Sequence, residues 1–187
     1  MGLFWQSQKL THCAILVYNQ AMPIFSPNSL DVISRSPEQT RRIGMRLGAM
    51  LQAGDVVCLS GDLGAGKTTF IQGLSSGWGS LDAVSSPTFV LVNVYRRLDG
   101  QQLFHLDAYR LGGPADAYDL DLDGMLESGV VVVEWAERIL QALPGDYLHL
   151  RLTYIEEYQR DLLLSAHGNG NRYQAVLVAL RKEIFGG

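Results

Sequence analysis

From Ser36 onward the chain alternates between two hydrophobic rhythms. Apolar residues at Ile43, Leu47, Met50 and Leu51 recur at the spacing of one helical face. Ser36-Pro37-Glu38-Gln39 ahead of them carries start signals: a hydroxyl that can cap, a proline suited to the first helical position and a glutamine three residues after the serine. Gly54 is the expected stop. The run Asp55-Val56-Val57-Cys58-Leu59-Ser60 is continuously apolar between turn residues, which predicts a buried strand. A glycine-rich segment, Gly61 to Gly66, follows, and then a helix predicted from Lys67 to about Gly77.

Further strands are predicted at Phe89–Tyr95, Gln102–Leu106, Val130–Val133, Tyr147–Thr153 and Leu162–Ala166. Tyr173–Phe185 reads as a closing strand or helix. The turn formers of His167-Gly168-Asn169-Gly170-Asn171 are read as a hairpin connection. Strands alternate with helices early and cluster late, so the expected class is α/β with an antiparallel portion. Repeats, low-complexity tracts and clear linkers are absent from the sequence. The expected organisation is an N-terminal extension over residues 1–21, either disordered or arising from the choice of start site with Met22 as an alternative start, and a single domain over 22–187.

Composition changes this picture little. A chain of 187 residues fits one domain able to bury roughly 70% of its unfolded surface, and needs no covalent staples. The cysteines are Cys13 and Cys58; Cys58 lies in an apolar strand and reads as a buried free thiol, which suggests a reducing, cytoplasmic setting. The net charge of -4 argues against a large basic face for direct nucleic-acid binding. No apolar run approaches the ~20 residues of a membrane span. The Cys13–Tyr18 stretch is too short for a signal peptide.

Candidate chemistry changes it much more. Gly61-Asp62-Leu63-Gly64-Ala65-Gly66-Lys67-Thr68 fits G-x-x-x-x-G-K-[ST] in full, between a predicted strand and a predicted helix. Glycines there let backbone N–H groups turn inward toward an anion, and the positive end of the following helix faces the same point. Lys67, one of only three lysines, is placed for the β- and γ-phosphates, and the Thr68 hydroxyl for Mg²⁺. The expected architecture is therefore a P-loop NTPase-type three-layer fold, a mixed sheet with helices on both faces. A carboxylate at the end of a neighbouring strand would complete a hydrolytic site. Glu134, after four valines, is one candidate, the alternative being the start of a surface loop. Asp107, after His105-Leu106, is another, the alternatives being a helix cap or a partner for Arg110. The hydroxyls of Ser85-Ser86-Pro87-Thr88 read as a γ-phosphate sensor or a plain turn, and Trp135 as core or an interaction residue.

These motifs, in the order Gly61–Phe70, Ser86-Pro87-Thr88-Phe89, His105-Leu106-Asp107-Ala108-Tyr109-Arg110-Leu111 and Val133-Glu134-Trp135-Ala136-Glu137-Arg138, resemble the TsaE (YjeE) family, the ATPase component of bacterial tRNA threonylcarbamoyladenosine biosynthesis. The resemblance covers about residues 24 to 166; its departures are at the two ends. It implies ATP and Mg²⁺ as ligands, with Thr68 and Glu134 on the metal and Asp107 needed for hydrolysis. Pro37 to Thr40 would approach the base or sugar. Gln159 and Arg160 would also touch ATP, and Thr69 would complete the phosphate loop. It further implies action with the partner proteins TsaB and TsaD, with tRNA touched only indirectly. Two other functions remain open. A small GTPase or switch module is suggested by Asp121-Leu122-Asp123-Gly124, although no N-K-x-D follows to read guanine. A small-molecule kinase would need an arginine-rich lid, and the arginines are scattered. For the ATPase reading no obvious arginine finger is present, so slow hydrolysis awaiting a partner is expected, with Arg110 and Arg138 as the candidates in cis.

Overall fold

The computed structural model describes residues 26–84 and 91–186. The elements in chain order are β1 (Ser29–Ser34), α1 (Pro37–Gly48), β2 (Val56–Ser60), α2 (Lys67–Trp78), β3 (Val92–Arg96), β4 (Gln102–Asp107), α3 (Pro114–Tyr118), α4 (Leu122–Ser128), β5 (Gly129–Glu134), β6 (Tyr147–Glu156), β7 (Gln159–His167) and α5 (Arg172–Phe185). Three single-turn 3-10 helices, at Ala108–Arg110, Ala136–Arg138 and Leu140–Ala142, fill the connections.

The strands form one sheet in the order β1-β7-β6-β2-β5-β4-β3. The four central strands, β6, β2, β5 and β4, run parallel, while β7, β1 and β3 are antiparallel to their neighbours. A sheet of this kind opens its ligand crevice beyond the carboxyl ends of the parallel strands. Alternation along each strand divides the core in two. Val57, Leu59, Val130 and Val132 face α1, α2 and α5, and Val56, Cys58, Val131 and Val133 face α3, α4 and the 3-10 turns. The fold is thus the expected α/β architecture with helices on both faces. Among the described residues the second helical layer covers the β2-β5-β4 half; on the other half Asp31, Ile33, Arg151 and Thr153 are exposed.

Several boundaries differ from the sequence expectation. Ser36 caps α1 as predicted, its hydroxyl accepting from the Gln39 N–H at 3.1 Å, but the Gln39 side chain reaches past Ser36 to accept from the Arg35 N–H at 2.8 Å. The helix stops at Gly48, not Gly54; Met50 and Leu51 close tight turns onto Leu47 and Gly48, and Gly54 instead turns the chain into β2 with a φ of 87°. The expected hairpin at His167–Asn171 is corrected as well. The β6–β7 hairpin turns at Glu157-Tyr158, and His167–Asn171 leads into α5. Tyr173, Val176, Leu177 and Leu180 are buried at helical spacing, which decides the closing segment in favour of a helix. Of the predicted strand Phe89–Tyr95, Phe89 and Val90 lie outside the described residues, as do the hydroxyls of Ser85–Thr88 and the extension 1–21.

A P-loop site at the carboxyl ends of three strands

The phosphate loop leaves the carboxyl end of β2 and enters α2 at Lys67. Gly61, Gly64 and Gly66 have φ values of 133°, 79° and 106°. A side chain at Gly61 would also run into the backbone carbonyl of Leu152 on β6, so glycine is required there twice over. Lys67 is buried and folds back on its own loop, its ammonium donating to the carbonyls of Gly61 (2.7 Å) and Asp62 (3.0 Å). It also lies 4.0 Å from the centroid of the Trp135 ring. Burial pushes the Lys67 pKa down, and the carboxylates around it, Glu134 first, push it back up.

Thr68, at the first turn of α2, donates its hydroxyl to Glu134 Oε1 at 3.2 Å. Glu134 ends β5, is buried, and accepts on the same oxygen from His105 at 3.0 Å. Leu59, Glu134 and Asp107 pair in register across β2, β5 and β4, so the parallel pairing itself brings the two carboxylates beside the loop. A cavity of about 530 Å³ opens there, lined by Lys67, Thr68, Thr69, Asp107, Glu134 and Trp135 together with Leu63, Gly64, Gly66, Tyr109 and Arg110. Asp107 is a cap, as one reading expects, accepting from the Tyr109 N–H of the following 3-10 turn at 2.9 Å, and it also lines the cavity. Glu134 is no surface residue.

A second cavity of about 100 Å³ shares Gly64, Gly66 and Thr69 with the first and is bounded by Pro37, Thr40, Ala65, Tyr158 and Arg160. Arg160 donates from Nε to the Ala65 carbonyl at 3.0 Å, tying the β6–β7 hairpin to the loop. Gln159, one position earlier on β7, lies outside both linings; its amide donates to Glu156 at 3.4 Å. Arg110 lines the larger cavity, whereas Arg138 turns away to the Leu111 carbonyl at 3.1 Å. Asp121 of the D-x-x-G match caps α4, accepting from the Gly124 N–H at 3.1 Å, and lines neither of these cavities. Tyr109, Tyr158 and His105 were not singled out individually as site residues. The first two sit in loops whose inward or outward facing no periodicity reveals, and His105 was visible only as a polar residue inside an apolar strand.

Sheet order, phosphate loop and strand-end carboxylates together define an α/β protein of the P-loop NTPase type. Comparison with solved structures agrees: the crystal structure of Bacillus subtilis YdiB superposes with a TM-score of 0.69 at 33% sequence identity, covering 83% of this chain and 96% of that one. The family model for the threonylcarbamoyl adenosine biosynthesis protein TsaE matches residues 34–162. Among curated proteins, the tRNA threonylcarbamoyladenosine biosynthesis protein TsaE of Streptomyces coelicolor is 53% identical over 114 residues, 60% of this chain and 77% of that protein. The protein of that name from Bacillus subtilis is 38% identical over 149 residues, 79% of this chain and 90% of its own length. The chain belongs to the TsaE family.

Proposed function

We propose that this chain binds ATP with Mg²⁺ on the loop Gly61–Thr68 and hydrolyses it, serving the tRNA threonylcarbamoyladenosine machinery together with TsaB and TsaD in the cytoplasm. The observation that carries the reading is the meeting of Lys67, Thr68, Glu134 and Asp107 around one cavity at the strand ends. Loop amides and Lys67 would hold the polyphosphate, for which Lys67 has to leave the Gly61 and Asp62 carbonyls. Thr68 and Glu134 fit Mg²⁺: both are hard oxygen donors, and they converge to 3.2 Å. Mg²⁺ characteristically keeps phosphate and water among its ligands, so two protein oxygens would suffice. Bound there, Mg²⁺ would neutralise charge on the phosphate oxygens. Asp107 would orient the attacking water. Pro37, Thr40 and Arg160 bound the smaller cavity, on the side proposed for base and sugar. Contact with tRNA would come through the partner proteins, since the charge balance is acidic.

The test combines activity and binding. Lys67→Ala or Thr68→Ala should abolish hydrolysis; a wild-type rate in either variant removes the site assignment. ATP with Mg²⁺ at a hundred times its Kd should stabilise the native state by about 2.7 kcal/mol. GTP should do so less, and a clear preference for GTP overturns the reading in favour of a switch-type GTPase.

A further inference from the structure

We propose that His105 is a positioning residue: with Tyr95 behind it, it fixes the Glu134 carboxylate and thereby sets the affinity of the site for Mg²⁺ rather than for nucleotide. The inference rests on the reading of Glu134 as a metal ligand given above.

His105 is fully buried in the middle of β4, flanked in sequence by the core residues Phe104 and Leu106. Its Nε2 lies 3.0 Å from Glu134 Oε1, and its Nδ1 lies 3.3 Å from the Tyr95 hydroxyl. That hydroxyl accepts in turn from the Asn93 side-chain amide at 3.4 Å. Strand register builds the chain of contacts. Asn93 pairs with His105, Tyr95 with Leu103, His105 with Val132, and Asp107 with Glu134, so Asn93, Tyr95, His105 and Glu134 all stand on the α2-facing side of β3, β4 and β5.

The donor directions follow from the end of the chain. A carboxylate oxygen accepts, so Nε2–H donates to Glu134; the Tyr95 oxygen already accepts from Asn93, which leaves its O–H to donate to Nδ1. A buried ring nitrogen without a partner is costly, and an aliphatic residue would fill this core position with no such demand. The ring is satisfied through Glu134 and Tyr95. The other bond to Oε1 comes from Thr68, which the metal would also engage. His105 is therefore the contact that can hold the carboxylate while Thr68 serves the ion. Residues that orient a ligand in this way change metal affinity by roughly ten- to a hundredfold when removed.

The experiment titrates Mg²⁺ into the full-length protein held with saturating non-hydrolysable ATP analogue, following the rise in melting temperature, and measures analogue affinity separately in EDTA. In His105→Leu the Mg²⁺ midpoint should rise roughly ten- to a hundredfold, with affinity in EDTA unchanged. His105→Gln, whose amide N–H reaches the place of Nε2–H, should recover most of the loss. Tyr95→Phe, which removes one hydroxyl and keeps the ring, should shift the midpoint in the same direction by less, and decides the matter if His105→Leu does not fold. A wild-type midpoint in folded His105→Leu, or in Tyr95→Phe when the leucine variant does not fold, overturns the inference. So does a parallel fall in affinity with and without metal, which marks a purely structural role. Should the parent protein itself gain nothing from Mg²⁺, the metal reading fails first and this inference with it.

Discussion

Lys67 and Trp135 show how much of the site is decided by single residues. Trp135 has a φ of 57°, the only positive φ outside glycine among the described residues. The left-handed region costs a residue with a side chain about 1–2 kcal/mol. The ring that results lies beneath the Lys67 ammonium and 5.1 Å from Tyr109. On the proposed function, nucleotide would have to draw Lys67 out of two carbonyl bonds and this stack. Next to it, the two carboxylates differ in burial: Glu134 is enclosed and tied to Thr68 and His105, and Asp107 is half-buried at the cavity wall. Glu134→Gln keeps the shape and removes the charge, so it should raise the Mg²⁺ requirement. Asp107→Asn should leave that requirement alone and slow hydrolysis by about 10²–10⁴, the range for loss of a positioned acid or base. Metal titration of nucleotide binding, set beside single-turnover rates, separates the two; identical effects on both would dissolve the division of labour. Lys67, Thr68, Glu134 and Asp107 were legible in the sequence because motif spacing and strand ends announce them. The positive φ at Trp135 was not, since no local pattern marks it and its ring contacts, Lys67 and Tyr109, lie far away in the chain.

At the scale of elements, α1 and α2 are joined through glycines. Gly44 and Gly48 on α1, and Gly73 and Gly77 on α2, lie four residues apart on the contacting faces. A Cβ at Gly73 would strike the carbonyl of Arg41, one at Gly77 that of Met45, and one at Gly48 that of Leu74. Each glycine in a helix interior costs about 1 kcal/mol relative to alanine, and close backbone approach is the compensating reason for keeping them. Gly77→Ala should therefore destabilise the protein, by about 1–3 kcal/mol from overpacking, despite its better helix propensity. A urea midpoint shifted upward would refute this. Because α2 begins with Lys67 and Thr68, nucleotide affinity should fall as well. The element types were largely readable, since periods of 3.6 and 2 differ sharply. The ends were not: Gly54 and His167–Asn171 carry turn chemistry without saying which elements the turn connects.

For the whole molecule, the notable asymmetry is the half of the sheet formed by β1, β7 and β6, where no helix among the described residues covers the second face. Asp31 and Asp161 meet there as diagonal neighbours on β1 and β7. Partial burial, followed by the bond and charge of Asp31, raises the Asp161 pKa to about 6. A carboxyl whose folded pKa exceeds its unfolded value favours the native state at low pH, and that contribution is lost as pH rises from about 4 to about 6. Without screening the loss would be about 3 kcal/mol, and at this partly exposed position about 1 kcal/mol is expected. Asp161→Asn should accordingly raise stability at pH 7.5 by about 1 kcal/mol and match the parent near pH 4; an equal gain at both pH values would contradict it. The sequence by itself determined the central strands, the first two helices, the α/β class, the glycine-rich loop and the two strand-end carboxylates, because each is written in local spacing within a few residues; β1, α3 and α4 carry no such pattern, and the closing segment fits strand or helix alike. Only the tertiary structure decided that Trp135 lies against Lys67, that His105 and Tyr95 stand behind Glu134, and that Arg160 reaches the loop. Those contacts join segments far apart in the chain, and pairing register, which no local pattern encodes, selects which of them meet.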